Sequence, residues 1–190
     1  MNVYVAEFLG TAILILLGNG IVANSLLQGT KGNDSSWLTG AMAWGMAVAF
    51  AVFTVGRISG AHLNPAVTFG LAAIGEFGWQ QIPGYLIAQI LGAFVGSILV
   101  FIVYYPHWAI TEEPGNKLAC FATGPAIRNP ISNITTEAIA TGMLVFGILA
   151  IGAIAKGTDG AADGVVAVSP STVSTALGPA WSCSCSSGGG

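Results

Sequence analysis

Charged side chains are scarce in this sequence. Its 190 residues include only 5 Lys and Arg and 8 Asp and Glu, which is 7% of the chain, whereas 54% is hydrophobic. Soluble domains carry about 25% charged residues. So few charges cannot cover the surface of a soluble enzyme, a disordered protein or a nucleic-acid-binding protein. The composition therefore predicts an integral membrane protein, and the length suggests one domain.

Cysteine and histidine are also rare, with 3 Cys and 2 His. Three cysteines do not make a disulfide framework. Cys183 and Cys185 have no His or further Cys close by to complete a metal site. An intramembrane enzyme would need a nucleophile with a base, or a metal cluster, inside its spans. The only histidines are His62 and His107, and no carboxyl pair lies within a span, so we expect neither an enzyme nor a metal or cofactor.

The charges that do occur separate long uncharged stretches. A membrane-spanning helix needs about 20 apolar residues at a rise of about 1.5 Å each. The stretches predict four such helices, at about 5–27, 38–56, 83–105 and 135–155. The first is not expected to be a signal peptide, because it lacks a basic start and has Glu7 in its place. The sequence thus predicts an all-α, multi-pass protein embedded in a lipid bilayer.

Small residues recur at four-residue spacing inside three of the predicted spans. They are Ala6 with Gly10, Ala88 with Gly92 and Gly96, and Ala138 with Gly142. Because lipid tails are as apolar as leucine, membrane helices associate through the close backbone approach that small residues permit. A single pair can reflect composition alone, but the pattern in three spans predicts a compact bundle.

The segment between the second and third spans does not fit a simple crossing. Residues 65–75 are apolar and compatible with a helix, but they reach only about 16 Å, half of a bilayer. Asn64 followed by Pro65 is a strong helix start. We therefore predict a re-entrant half-helix over 65–75, with its positive N-terminal end at mid-membrane. Irregular backbone at 59–63 would offer carbonyl oxygens to a passing solute, which suits a pore for uncharged molecules that repels cations.

Two segments of the chain resemble each other and indicate an internal repeat. The matched residues are Glu7, Thr11 and Leu14 in the first segment and Glu137, Thr141 and Leu144 in the second. A carboxyl group near a membrane span is unfavourable unless it is paired or functional. Each Glu is therefore interpreted either as an interface residue or as a buried acceptor that holds the N–H groups of a loop.

The second half of that repeat is missing from the sequence. The stretch at 170–186, where the second span should recur, does not read as a membrane helix, and no second Asn-Pro-Ala occurs. Residues 169–190 form a tail rich in Ser, Cys and Gly, which we expect to be disordered. We interpret the chain as a truncated or frame-shifted form of a longer protein. A genuine flexible tail is the alternative.

These features together resemble the major intrinsic protein family, the aquaporins and glycerol facilitators. The resemblance covers residue 4 to about residue 165. It rests on the string SGAHLNPAVT at 59–68, together with Glu7 and Glu137. It implies an inverted-repeat fold of six spans and two half-helices. Residues 1–168 would hold the first four spans and one half-helix, with the second half incomplete. The resemblance also implies a homotetramer with one pore in each subunit.

The family's functional positions can be carried over to this chain by position. They are Asn64, Pro65 and Ala66 in the pore motif, Gly60, Ala61, His62 and Leu63 in the stretch whose carbonyl groups line the conduit, and Glu7 and Glu137 as buried carboxyls that brace the loops. The resemblance also gives the His62 ring a role in packing the loop, with the carbonyl of this residue facing the pore.

Trp44 and the long loop at 106–133 resemble the glycerol-facilitator branch, in which a Trp lines the selectivity filter and packs against the carbon backbone of the solute. A Trp in a membrane helix can also be an interface anchor. The resemblance implies passive diffusion of glycerol, other small neutral solutes and water across the plasma membrane, in bacteria the inner membrane. A water-selective channel is one alternative. Because the second motif has no match, a non-conducting membrane fragment is the other, and we expect the 190-residue chain alone not to conduct.

Overall fold

The computed structural model describes residues 1–157, and every regular element in that range is a helix. The elements are α1 (Val3–Leu26), α2 (Trp37–Ser59), α3 (Pro65–Ala73), a 3-10 turn (Trp79–Gln81), α4 (Ile82–Val103), α5 (Tyr105–Ile110), α6 (Pro114–Ala119) and α7 (Pro130–Gly157). The tail predicted at 169–190 and the domain limit predicted at 168 lie outside the described residues.

Four of these helical stretches are long and apolar enough to cross a membrane. They are Val3–Leu26, Trp37–Ser59, Trp79–Val103 and Pro130–Ala150. The predicted all-α class and the four predicted spans are confirmed. The last span begins earlier than predicted because Asn129 and Pro130 form a helix start, with the Asn129 side-chain oxygen accepting a hydrogen bond from the Ser132 N–H at 3.3 Å.

Helix α1 is the centre of the described bundle, and it packs against α2 on one side and α4 on the other. Neighbouring positions show that α1 and α2 are antiparallel and that α1 and α4 are parallel. The pairs are Gly10 with Val55 and Gly18 with Trp44 for α2, and Phe8 with Gly92 and Ala12 with Gly96 for α4. Two helices thus hold α1 between them over most of its length.

Glycines set the distance between α1 and α4. A Cβ on Gly92 would overlap the Phe8 carbonyl oxygen, and a Cβ on Gly96 would lie 2.7 Å from the Ala12 carbonyl oxygen. The two backbones are therefore in direct contact, as the small-residue pattern predicts for this pair. A Cβ on Gly142 would meet nothing within 4 Å in the described part of the chain, so a helix contact at that position stays a prediction.

The loop after α4 folds over the ends of α1 and α4. The Gln28 N–H donates to Thr111 Oγ1 at 2.9 Å, and His107 Nδ1 donates to the Gln28 carbonyl at 2.9 Å. Phe121 stacks on Trp108, whose ring stacks in turn on Phe101 in α4. These contacts close the end of the bundle opposite the N-terminus. The last helix, α7, contacts the bundle through α3.

Candidate functional site

The re-entrant segment predicted between the second and third spans is present. Helix α2 ends at Ser59, the chain then runs irregularly through 60–63, and α3 starts at Pro65. Helix α3 has nine residues and is about 13 Å long, so it reaches less than half of a hydrocarbon core of about 30 Å. It ends close to the predicted position, where Gly75 adopts a φ of 81°.

The backbone of the loop at 60–63, here called the conduit loop, is held in an unusual conformation. Gly60, Ala61 and Leu63 have φ values of 82°, 49° and 52°. Glycine adopts such angles freely, but for Ala61 and Leu63 the left-handed conformation costs about 1–2 kcal/mol each. Residues with side chains keep such angles only where their surroundings impose them. Here the imposing group is a buried carboxyl on α1.

That carboxyl belongs to Glu7, which is 0% exposed. Its Oε1 accepts hydrogen bonds from Ser59 Oγ at 2.6 Å and the His62 N–H at 3.0 Å. Its Oε2 accepts from the Leu63 N–H at 2.8 Å and from Gln89 Nε2 at 2.9 Å. Four donors on two oxygens match the acceptor capacity of a carboxylate, which no amide or hydroxyl side chain could supply.

The N–H groups of the conduit loop all donate to protein acceptors, that of Gly60 to the Gly56 carbonyl at 3.0 Å. The N–H groups of His62 and Leu63 donate to Glu7, and the N–H of Ala61 donates to Ser59 Oγ at 3.1 Å. The carbonyl oxygens of residues 60–63 accept no hydrogen bond from any residue that the structure describes. These four carbonyls are therefore available to an external donor.

Asn64 joins the conduit loop to α3. Its side-chain Oδ1 accepts from the Ala66 N–H at 2.8 Å, and its carbonyl accepts from the Thr68 N–H and Thr68 Oγ1, both at 3.1 Å. Within residues 1–157 its side-chain nitrogen donates to no acceptor, so its two N–H groups remain available beside the positive end of α3. Acceptors along 60–63 are thus followed by donors at Asn64.

Thr68 links α3 to the carboxyl network. Its Oγ1 accepts from Gln89 Nε2 at 3.0 Å and lies 3.2 Å from His62 Nδ1. The His62 ring is buried against Phe77 and Tyr85, with ring centroids 4.6 Å and 4.9 Å away. The Tyr85 hydroxyl donates to the Ser59 carbonyl at 2.8 Å and so fixes the end of α2. Thr68, His62 and Tyr85 therefore all make polar contacts within the conduit loop or with the helix ends that flank it.

Two of the predicted site residues lie apart from this cluster. Trp44 is on α2, about 22 Å along the helix from Ser59, and its ring covers Gly18 of α1 so closely that a Cβ on Gly18 would overlap it. Glu137 is exposed on α7 within residues 1–157, so its role as a second bracing carboxyl stays a prediction.

Sequence reasoning did not single out Gln89, Tyr85, Thr68 or Ser59. Gln89 offered a signal, because it is the only amide side chain in the apolar helix α4. A polar group in a membrane span that cannot reach water needs a partner inside the protein. Tyr85 carried no comparable signal, since tyrosine is common near the ends of membrane helices.

Comparison with known proteins gives consistent matches. A profile of the major intrinsic protein family matches residues 1–179. The chain is 58% identical over 153 residues to a probable glycerol uptake facilitator protein of Thermotoga maritima, covering 80% of this chain and 65% of that protein. It is 44% identical over 153 residues to a glycerol uptake facilitator protein of Bacillus subtilis, covering 80% of this chain and 56% of that protein.

A solved structure gives the same result. The X-ray structure of the aquaglyceroporin from Plasmodium falciparum aligns with a TM-score of 0.75 and 31% identity, over 96% of this chain and 71% of that chain. This chain spans only 65% of the length of the Thermotoga maritima protein and 56% of the length of the Bacillus subtilis protein.

Proposed function

The chain belongs to the major intrinsic protein family, and from this membership we propose that it contributes to a channel for the passive diffusion of glycerol, other small neutral solutes and water. The names of the bacterial relatives and of the solved structure support glycerol as a solute. The observation that carries the proposal is that, among the described residues, the carbonyls at 60–63 accept no hydrogen bond and lead to the side-chain NH2 group of Asn64, which has no acceptor there.

This arrangement suits a solute that both donates and accepts hydrogen bonds. Hydroxyl groups donate to the carbonyls of the conduit loop in turn, and at Asn64 a solute oxygen accepts from the side-chain amide. Each hydrogen bond to the protein replaces one to water, so a neutral molecule passes with little loss of hydrogen-bonding free energy. A cation would lose its hydration shell and would also meet the positive end of the α3 dipole. No covalent bond forms or breaks.

Trp44 is proposed as the filter residue that distinguishes glycerol from water. Its ring is fixed against Gly18 and is only partly buried, which leaves apolar surface for the carbon backbone of a polyol. A water-selective pore would gain nothing from such a surface. The family resemblance further suggests a homotetramer with one conduit in each subunit, and the mass of the protein in lipid nanodiscs tests that assembly.

The proposal is tested by stopped-flow light scattering of proteoliposomes. Two proteins are compared: this chain, and a chimera in which its 153 matching residues replace their counterparts in the Thermotoga maritima relative. We expect the chimera to raise both glycerol and water permeability above that of protein-free vesicles. The change Asn64→Asp, which introduces a negative charge beside the conduit, should lower glycerol permeability by about tenfold or more.

Each outcome separates the candidate functions. Water permeability without glycerol permeability in the chimera would indicate a water-selective conduit. A chimera that conducts neither solute would overturn the proposal. Conduction by the chimera but not by the 190-residue chain would assign the activity to the conduit loop within a longer channel.

A further inference from the structure

We propose that Gln89 is a positioning residue of the conduit, which holds the Glu7 carboxylate and the Thr68 hydroxyl in register so that the carbonyls of the conduit loop face the solute. The inference rests on the proposed channel function. Gln89 is 2% exposed, and its Nε2 lies 2.9 Å from Glu7 Oε2 and 3.0 Å from Thr68 Oγ1.

The orientation of the Gln89 amide is fixed by its neighbours. Its nitrogen has two protons, and each has its own acceptor, one on α1 and one on α3. Turning the amide around would place its oxygen against the Glu7 carboxylate, where two acceptors repel each other. Only one orientation of the side chain is therefore compatible with the site.

This orientation leaves a buried acceptor without a partner. Within residues 1–157, Gln89 Oε1 accepts no hydrogen bond although the side chain is buried. Both N–H groups of the amide are used on the conduit side, so its donors and not its oxygen determine how it is oriented.

The position of Gln89 on α4 gives the contact its rigidity. Gly92, one turn later, brings α4 into backbone contact with Phe8, next to Glu7 on α1. The backbones of α1 and α4 are thus in direct contact beside Gln89. The hydrogen bond from Gln89 to Thr68 links α3 to this pair of helices. Glu7 fixes the direction of the N–H groups of the conduit loop, and Gln89 fixes the position of the Glu7 carboxylate.

The test uses the apolar isostere Gln89→Met, with Gln80→Met at an exposed position as the matched control. The first readout is the ratio of glycerol to water permeability in proteoliposomes that contain the chimera, with or without each change, because the 190-residue chain alone is not expected to conduct. A variant that folds in smaller amounts lowers both permeabilities equally and leaves the ratio unchanged. Loss of register disturbs a solute with three hydroxyls more than water, so we expect Q89M to lower the ratio roughly threefold to tenfold.

The second readout does not depend on conduction. Hydrogen exchange of the chain in nanodiscs should become roughly tenfold faster at the amides of His62 and Leu63 in Q89M, with α1 and α4 unchanged. The melting temperature should fall, because Q89M removes two buried hydrogen bonds, one of them to the Glu7 carboxylate. If Q89M does not reconstitute, Gln89→Glu replaces it, since a carboxyl supplies at most one proton to the two acceptors.

An unchanged ratio together with unchanged exchange at His62 and Leu63 would overturn the role of Gln89. A chimera that conducts neither solute while Q89M still shows faster loop exchange would remove the proposed channel function and leave the positioning of the loop by Gln89 intact. Equal effects of Q89M and Q80M would also count against the proposal.

Discussion

The Leu63 N–H donates to Glu7 Oε2 at 2.8 Å across 56 positions of sequence. Leu63 has a φ of 52°, which a leucine adopts only when something holds it there. The bond is therefore the cause of the loop conformation as well as a contact within it. A single buried carboxyl on the first helix determines the backbone of a segment that lies beyond the second.

Replacing that carboxyl by an amide should disrupt the site. In Glu7→Gln the amide keeps one oxygen, but its NH2 group faces donors that then have no acceptor in a buried place. We expect a loss of about 3 kcal/mol or more in the free energy of unfolding, and loss of solute conduction. Thermal unfolding in detergent measures the first effect, and proteoliposome permeability measures the second.

Glu137→Gln is the matched control for that change. Glu137 is exposed in the described structure, so its replacement should alter stability by less than about 0.5 kcal/mol. Similar melting temperatures for the two variants would contradict the assignment of Glu7 as the group that holds the loop.

The Tyr85 hydroxyl should stabilise the end of α2 through its bond to the Ser59 carbonyl. Tyr85→Phe removes this bond but keeps the ring against His62 and Phe77, so we expect a loss of about 1 kcal/mol. Tyr105→Phe, at a ring that is 66% exposed, should have no measurable effect. Equal unfolding midpoints for both phenylalanine variants would show that the hydroxyl does not brace the loop.

Much of this site could be predicted from local signals in the sequence. The start of α3 is encoded by Asn64 and Pro65, which act on the residues next to them, and the spans follow from the scarcity of charge. Gln89 could not be placed in the same way, because its partners Glu7 and Thr68 meet it only after three helices have packed. The role of Glu137 stays a prediction for the same reason, since burial depends on what packs over a residue.

The contact between α1 and α4 should tolerate no added atom at Gly92. A Cβ there would overlap the Phe8 carbonyl oxygen, which belongs to the backbone and cannot rotate away. Gly92→Ala should therefore destabilise the protein by about 1–3 kcal/mol through overpacking. In contrast, a Cβ on Gly20 of α1 would meet nothing within 4 Å. Gly20→Ala should be neutral or stabilise by up to about 1 kcal/mol, because alanine favours the helix. Midpoints that fall equally in both variants would exclude helix contact as the cause.

The thiol of Cys120 should react with maleimide far more slowly than an exposed cysteine. It is 0% exposed, and burial raises its pKa to about 11. The thiolate is the reactive form, so a raised pKa lowers its fraction at any pH below that value. At pH 8 we expect labelling on the order of a hundredfold slower than for a thiol with the usual pKa of about 8.5.

The labelling experiment uses a protein with Cys183→Ser and Cys185→Ser, so that Cys120 is the only thiol left to react with maleimide. The control carries Cys120→Ala with Leu118→Cys, which places a thiol on the same short helix at a position that is 66% exposed. The rate for Cys120 should keep rising up to about pH 11, because its thiolate fraction is still increasing there. The rate for the control should level off near pH 9, above its ordinary pKa. Equal rates at pH 8 would mean that Cys120 does not lie beneath Leu27 and Val100 at the end of the bundle, and that α6 is not packed there.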